Sequence, residues 1–247
     1  MSVTIVYPTT GRGAWSRFGG TLSLDGTAPG PFYRAPAATS VMPGRRAFNA
    51  DRDKTVVGIN EYAVWRAVAA IQTVVYSVPD GRFGSQTANA VRGWQKLSGL
   101  VADGIFGPAS ARVMWLPLVA EATTSVEHRS MLLMKLLTGH TGYESQWDPG
   151  AVGSTTPQDL GLNQINGAAH PGLTADFRLN PITSLRWAAD FINENLDVFH
   201  GVEDDAIAAY NLGRGGARAW IDAGRPDTFR GVFVRRYINQ VKAAAAA

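Results

Sequence analysis

Three short polar blocks in the second half of this 247-residue chain contain the residue types that acid–base chemistry needs. The first block is Glu144-Ser145, which follows a run of apolar residues. A glutamate at the end of an apolar helix is partly desolvated, which raises its pKa and lets it act as a general acid near neutral pH. Two later blocks supply neutral hydrogen-bonding side chains: Gln164 within Asp159–Asn166, and Tyr210 with Asn211 within Ala209–Gly213.

Several other chemistries are excluded by residues that the sequence lacks. The chain has no cysteine, so disulfides, thiolate nucleophiles and cysteine-ligated metal sites are excluded. Its four histidines show no HExxH or H-x-H spacing, and neither GxSxG nor GxxxxGK[ST] occurs. His140 lies four residues before Glu144 and can share its helical face, but one such pair does not make a metal site. We interpret His140 as a surface or capping histidine.

The segments around these blocks are predicted to be helical. The segment before Glu144 places four apolar residues at helical spacing as core candidates: Met131, Leu132, Met134 and Leu137. Asn180-Pro181 is the start signal of a long helix. Three shorter helices follow, separated by Gly and Pro, and their sequences are DDAIAAYNLG, ARAWIDAG and FVRRYINQVKAA.

A short internal repeat stands upstream of the polar blocks. Asp80–Thr87 recurs as Asp103–Ser110, which is 103 − 80 = 23 residues later. In each copy a DG turn supplies a position with positive φ, and a hydroxyl residue, Thr87 or Ser110, is a candidate cap for the next helix. Three aromatic residues in and between the copies are predicted to lie in the core: Phe83, Trp94 and Phe106.

The repeat carries a family resemblance. The sequence DGRFGSQTANAVRGWQKLSGLVADGIFGPAS resembles the small three-helix peptidoglycan-binding domain of bacterial and phage cell-wall hydrolases. The resemblance covers about residues 58–116 and implies a module that anchors the chain to the cell wall.

The three polar blocks together carry a second resemblance, over about residues 129–242. They are similar to the lysozyme-like lytic transglycosylase (SLT) family, whose motifs E-S, G-L-M-Q and A-Y-N run in this order. The resemblance implies that Glu144 is the catalytic acid/base and that four residues line the cleft: Ser145, Gln164, Tyr210 and Asn211. Such enzymes cleave the bond between N-acetylmuramic acid and N-acetylglucosamine and leave a 1,6-anhydro ring. No metal or organic cofactor is implied.

Asp159 leaves the reaction product open. The stretch DLGLNQIN also resembles the D-Y-G-x-x-Q-I-N stretch of hen-type lysozymes, in which the Asp is the second carboxylate. Retaining glycosidases need two carboxyl groups about 5 Å apart, and Asp159 across a β-hairpin from Glu144 is a candidate. A lysozyme-type hydrolase using both carboxylates is therefore the alternative. Asn163, where the transglycosylase family has Met, is a departure that alters the cleft wall.

These observations predict a mainly α protein. We expect an irregular Gly/Pro-rich arm over 1–54, a three-helix peptidoglycan-binding domain over 55–117, a linker over 118–127 and a lysozyme-like catalytic domain over 128–247. The last of these is α-rich with a small β-hairpin.

Charge and hydropathy limit the partners. The net charge is only +3, and the basic pairs Arg45-Arg46 and Arg235-Arg236 are too short for a nucleic-acid patch. No apolar run is long enough to span a membrane, and no secretory signal is visible. Bacterial peptidoglycan is the predicted partner.

The expected biological setting is a bacteriophage. We expect a phage lysin that acts at the bacterial wall, either an endolysin in the host cytoplasm before lysis or a virion-borne enzyme of the tail. In the second case the N-terminal arm binds other virion proteins. A wall-binding structural protein of the virion, without turnover, is the non-enzymatic alternative.

Overall fold

The computed structural model describes residues 59–124, 129–153 and 159–246. Over these ranges the chain is mainly helical, which confirms the predicted fold class. The arm predicted over 1–54 lies outside the described residues. The elements, in chain order, are α1 Ile59–Val74, α2 Ser85–Leu97, α3 Pro108–Thr123, α4 Ser130–Ser145, β1 Asp159–Leu160, β2 Ile165–Asn166, α5 Ala175–Leu179, α6 Pro181–Val198, α7 Glu203–Asp222 and α8 Val234–Ala246.

The described residues divide into two compact units. The first unit contains the residues up to Trp115 together with Ser145–Ser184, and the second contains Leu116–Glu144 and Leu185–Ala247. Within the described ranges, no helix has the length and apolar character that a bilayer crossing demands.

A buried glutamine organises the first copy of the repeat in the first unit. Gln72 Nε2 donates to Asp80 Oδ1 at 2.8 Å, to the Arg82 carbonyl at 3.0 Å and to Thr87 Oγ1 at 2.9 Å. Its Oε1 accepts from the Gly81 N–H at 2.8 Å. One side chain on α1 therefore joins the turn to the start of α2.

The second copy repeats this arrangement 23 residues later. Gln95 Nε2 donates to Asp103 Oδ1 at 3.0 Å, to the Ile105 carbonyl at 2.9 Å and to Ser110 Oγ at 3.1 Å, and Gln95 Oε1 accepts from the Gly104 N–H at 2.8 Å. The glutamine on α2 thus joins the second turn to the start of α3. Because both copies use the same contacts, the sequence repeat corresponds to a structural repeat.

The structure tests three details of the predicted repeat. Gly81 and Gly104 have φ of 70° and 76°, which confirms the predicted positive-φ turns. Thr87 does not cap α2: Gly84 occupies the cap position without a side-chain bond, and the Thr87 hydroxyl accepts from Gln72 instead. Ser110 accepts in the same way from Gln95, so neither hydroxyl serves as the predicted cap.

Two of the three aromatic residues predicted for this core are buried. Phe83 and Phe106 are fully enclosed, and the Phe106 ring meets Trp115 edge-on with centroids 6.4 Å apart. Trp94 is only half-buried. The phenylalanine that follows each DG turn is therefore part of the core of this unit.

The segment 145–184 completes the first unit. Its antiparallel hairpin pairs Asp159 with Asn166 and Leu160 with Ile165, and this confirms the predicted hairpin. Helix α5 contacts α1, because the Tyr62 hydroxyl donates to Asp176 and the Arg66 guanidinium lies 3.8 Å from the same carboxylate.

The second unit packs α4, α6, α7 and α8 around a helical core. Its buried side chains include Leu133, Leu137, Leu185, Ile192, Leu196, Ile207 and Trp220. Helix α6 begins as predicted, since Asn180 Oδ1 accepts from the Ile182 N–H at 2.9 Å. Two of the predicted short helices are joined as α7, with a kink at Gly213 where φ is 70° and ψ is 161°.

Candidate active site

Glu144 lies in the last turn of α4 and is 6% exposed. The buried face of α4 runs through Leu133, Leu137 and His140 to Glu144, at intervals of four, three and four residues. This face differs from the predicted one, because Met131 is 75% exposed. Burial disfavours the charged form of a carboxyl group, which is the direction that an acid catalyst needs.

Tyr237 on α8 is a hydrogen-bond partner of Glu144 within the second unit. Its hydroxyl donates to Glu144 Oε1 at 2.7 Å. Val234, Tyr237, Ile238 and Val241 form the buried stripe of α8, and their spacing follows the helical period. The backbones approach closely here, since a Cβ on Gly139 of α4 would lie 2.4 Å from the Val241 carbonyl. This close packing of α4 and α8 places the Tyr237 hydroxyl within hydrogen-bond distance of the Glu144 carboxyl group.

His140 is fully buried, so its interpretation as a surface or capping histidine is wrong. Its Nδ1 lies 3.2 Å from the Tyr237 hydroxyl, and its ring packs against Tyr210 with centroids 4.3 Å apart. Burial lowers the pKa of His140 to about 3, and the imidazole is therefore neutral at physiological pH. The continuation of the leucine stripe of α4 is what places this residue in the core.

Tyr210 and Asn211 occupy adjacent positions on α7. The half-buried Tyr210 ring packs against both His140 and Phe191. The Tyr210 and Phe191 rings meet edge-on, with centroids 5.6 Å apart. Asn211 is exposed. The structure thus brings Tyr210 into the same cluster as Glu144, through His140 and Tyr237, and leaves the Asn211 side chain in solvent.

Ser145 belongs to the first unit, although it follows Glu144 directly. Its hydroxyl is buried and accepts from the Trp147 N–H at 3.1 Å. Gln146 and Trp147 both have positive φ, of 53° and 70°, in the turn that ends α4. The described contact of Ser145 therefore stabilises that turn.

Gln164 is also buried in the first unit, at the turn of the hairpin, with φ of 46°. Its Nε2 donates to the Ala151 carbonyl at 3.1 Å and to the Gly161 carbonyl at 3.0 Å. Its Oε1 has no hydrogen-bond partner among the residues that the structure describes. The amide thus holds the loop through its nitrogen.

Asp159 begins the hairpin and contacts polar groups of the first unit. Its Oδ1 accepts from Asn166 Nδ2 at 2.7 Å. Burial lowers the pKa of Arg178, and the negative charge of Asp159 acts in the opposite direction. The Arg178 guanidinium also donates to the Ile165 carbonyl at 3.2 Å. Asp159 is therefore part of the polar framework that holds the hairpin.

Asn163, the departure from the family pattern, is fully buried. Its Nδ2 donates to Ser184 Oγ at 3.3 Å. The amide therefore has an internal partner where the family has an apolar methionine.

The sequence-predicted site residues fall into two groups: Glu144, Tyr210 and Asn211 in the second unit, and Ser145, Asp159 and Gln164 in the first. The sequence analysis missed Tyr237 as a partner of Glu144 and His140 as a partner of Tyr237. The available signal was a tyrosine on the buried stripe of an amphipathic helix, since a buried tyrosine hydroxyl usually finds a partner.

Within the described residues, no three His, Asp or Glu side chains lie close enough to hold a metal ion.

Two family models match parts of the chain. Residues 118–228 match the family "Transglycosylase SLT domain", and residues 60–114 match the family "Putative peptidoglycan binding domain". No curated protein matches the chain. The chain therefore combines a peptidoglycan-binding domain with a transglycosylase domain of the SLT type, and it is a lytic transglycosylase that acts on peptidoglycan.

Proposed function

We propose that Glu144 is the single acid/base that cleaves the β-1,4 bond between N-acetylmuramic acid and N-acetylglucosamine, leaving 1,6-anhydro-N-acetylmuramic acid. The observation that carries the proposal is the buried Glu144 carboxyl in the transglycosylase domain, with Tyr237 donating to one of its oxygens at 2.7 Å. The other oxygen, Oε2, is then the one that carries the acid proton.

The reaction needs one proton transfer in each direction. Glu144 gives its proton to the glycosidic oxygen, the bond from C1 to that oxygen breaks, and the N-acetylglucosamine end leaves as an alcohol. The Glu144 carboxylate then takes the proton of the muramyl C6 hydroxyl while O6 bonds to C1. Glu144 is protonated again at the end, and no water is consumed. The Tyr237 hydroxyl stabilises the carboxylate between the two transfers.

The test is mass spectrometry of the soluble products released from purified peptidoglycan. We expect anhydro-muropeptides, which are lighter by one water than hydrolytic products. Glu144→Gln should lower the rate by about 10²–10⁴-fold, because general acid–base catalysis contributes that much. Glu121→Gln is the matched control, since this exposed glutamate pairs only with the surface Arg186 among the described contacts. Reducing-end products would favour the lysozyme-type reaction with Asp159 as second carboxylate.

We also propose that residues 55–117 hold the enzyme at the wall and that 118–127 link them to the catalytic residues 128–247. Tethering to the wall raises the local substrate concentration without strengthening the active site itself. Glu144→Gln should therefore sediment with isolated walls as the native chain does. Loss of wall binding in that variant would contradict separate binding and catalytic functions.

We propose a bacteriophage setting for this enzyme, as a virion-borne lysin or an endolysin. The Gly/Pro-rich sequence of residues 1–54, with its scattered aromatic residues, supports a role in binding other virion proteins. Mass spectrometry of purified phage particles distinguishes the two roles, because only the virion-borne enzyme is present in them.

A further inference from the structure

Three side chains of the second unit form one hydrogen-bonded row that ends at Glu144. His140 Nδ1 lies 3.2 Å from the Tyr237 hydroxyl, which lies 2.7 Å from Glu144 Oε1. His140 and Glu144 are one helical turn apart on α4, and Tyr237 reaches both from α8. The row lies in the core, where His140 and Tyr237 are almost completely shielded from solvent.

The single hydrogen of the Tyr237 hydroxyl links the position of that hydrogen to the tautomer of His140. With the hydrogen on the side of Glu144 Oε1, as the 2.7 Å contact allows, the Tyr237 oxygen accepts from His140 and Nδ1 carries the imidazole hydrogen. The other nitrogen agrees, because His140 Nε2 has no hydrogen-bond partner among the described residues. A buried N–H without an acceptor is a rarer arrangement than an unused acceptor.

We infer that His140 is a positioning residue whose Nδ1–H directs the Tyr237 hydroxyl to Glu144 Oε1, so that Glu144 presents its own proton on Oε2. This inference rests on the proposed function, because it assigns a task to the catalytic proton of Glu144. Were Nδ1 an acceptor, it would compete with Glu144 for the single Tyr237 hydrogen. The carboxyl group could then turn its proton towards the tyrosine and away from the substrate.

The neutral state of His140 is part of the same arrangement. Among the described contacts, the His140 ring meets Tyr210 from α7 and Tyr237 from α8, and Glu144, four residues later on its own helix, accepts from the same Tyr237 hydroxyl. Burial lowers the pKa of His140 to about 3, so the ring donates a hydrogen bond without bringing a positive charge into the row. A cation at this position would favour the carboxylate and remove the acid.

The experiment compares two substitutions of His140 in the full chain. Asparagine can place an N–H close to the position of Nδ1, whereas leucine fills space without a donor. Activity on purified peptidoglycan is measured as kcat/KM against pH. We expect His140→Leu to lower kcat/KM about 10-fold, through the loss of one hydrogen bond, and to move the alkaline fall of activity to higher pH. His140→Asn should restore most of the rate and the native pH profile.

A uniform loss of rate in both variants, with no movement of the alkaline fall, would show a merely structural histidine and overturn the inference. Glu144→Gln keeps the two questions separate. Full activity of that variant would refute the proposed function itself, whereas an inactive Glu144→Gln beside an unmoved His140→Leu profile would refute only the role of His140.

A second measurement does not depend on activity or on the folding of a leucine variant. Nitrogen NMR of the native chain, labelled at histidine, shows which ring nitrogen carries hydrogen, and His140→Asn identifies the signal among the four histidines. Hydrogen on Nδ1 at neutral pH supports the inference, and hydrogen on Nε2 overturns it.

Discussion

Glu144 and Asp159 are both carboxylates of the transglycosylase domain, but they contact different kinds of group. Glu144 is buried in the second unit and accepts from the neutral hydroxyl of Tyr237. Asp159 is half-buried in the first unit, accepts from the Asn166 amide and attracts the Arg178 guanidinium. A neutral donor leaves a buried acid able to hold its proton, whereas a cation favours the ionised form. The difference is in keeping with the acid role proposed for Glu144 and with a role of Asp159 in stabilising the hairpin.

The largest effect is expected from two glycines, one beside each carboxylate. A Cβ on Gly161 would lie 2.1 Å from the Arg178 carbonyl at a φ of 75°, and a Cβ on Gly139 would lie 2.4 Å from the Val241 carbonyl. Gly161→Ala should lower the free energy of unfolding by about 2–5 kcal/mol, through backbone strain and overpacking together. Gly139→Ala should lower it by about 1–3 kcal/mol, through overpacking alone. Chemical denaturation measures both changes.

The control for this pair is Gly172→Ala, because its added Cβ would meet nothing within 4 Å. Gly139→Ala should also lower activity, since it pushes α8 and Tyr237 away from Glu144. Full activity in Gly139→Ala would show that the Tyr237 contact is not needed.

Tyr237→Phe tests the neutral donor directly. The substitution removes one hydrogen bond to the carboxyl group, worth about 1.5–3 kcal/mol when that group is charged, so kcat/KM should fall by about 10–100-fold. The rate on purified peptidoglycan measures this fall. Tyr76→Phe is the control, since Tyr76 is 98% exposed in the first unit. An unchanged rate in Tyr237→Phe would remove the distinction between the two carboxylates.

Lowering the pH should destabilise the second unit, because His140 is buried there in its neutral form. The pKa of His140 is about 3 in the folded chain and near its usual 6.5 in the unfolded chain. The unfolded chain therefore binds a proton below pH 6.5 that the folded chain does not bind. The free energy of unfolding should fall by up to about 1.4 kcal/mol per pH unit between about pH 6 and pH 4.

Denaturation of the native chain and of His140→Asn over this pH range measures that loss. Asparagine does not titrate, so the variant should show a shallower dependence. Equal slopes would contradict a neutral, buried His140.

Asp159→Asn should have the smallest effect on catalysis. If Asp159 only stabilises the hairpin, the rate should fall by no more than about 10-fold. This loss is much smaller than the loss of about 10²–10⁴-fold expected when a general acid/base is removed. The released muropeptides should be the same, as mass spectrometry can show. A fall of about 10²-fold or more would make Asp159 a second catalytic carboxylate.

The sequence was sufficient to predict the features that depend on local order. The E-S, Q-I-N and A-Y-N blocks placed Glu144 at the end of a helix and Asp159 on a hairpin, and the DG repeat predicted two turns with positive φ. Each of these depends on residue types within a few positions of one another. This is why the helix and hairpin assignments are confirmed by the structure.

The contacts of Glu144 depend on packing between elements distant in sequence. Tyr237 is 93 residues from Glu144, and on its helix it has the same spacing as any apolar core residue. His140 was misassigned because the predicted face of α4 included the exposed Met131 and left out the buried Leu133, from which the stripe continues through Leu137 to His140. The kink at Gly213 was missed for a similar reason, since a glycine between two helical patterns also fits a break between separate helices.

The repeated glutamines make the wall-binding domain sensitive to chemical ageing. Gln72 and Gln95 each place one amide nitrogen against three oxygen acceptors, one of them an aspartate oxygen. Deamidation would replace that nitrogen with an oxygen and set a new carboxylate against the aspartate. Each such change should weaken the turn that the glutamine joins to its helix, and because both glutamines are buried we expect deamidation to be slow in the folded domain.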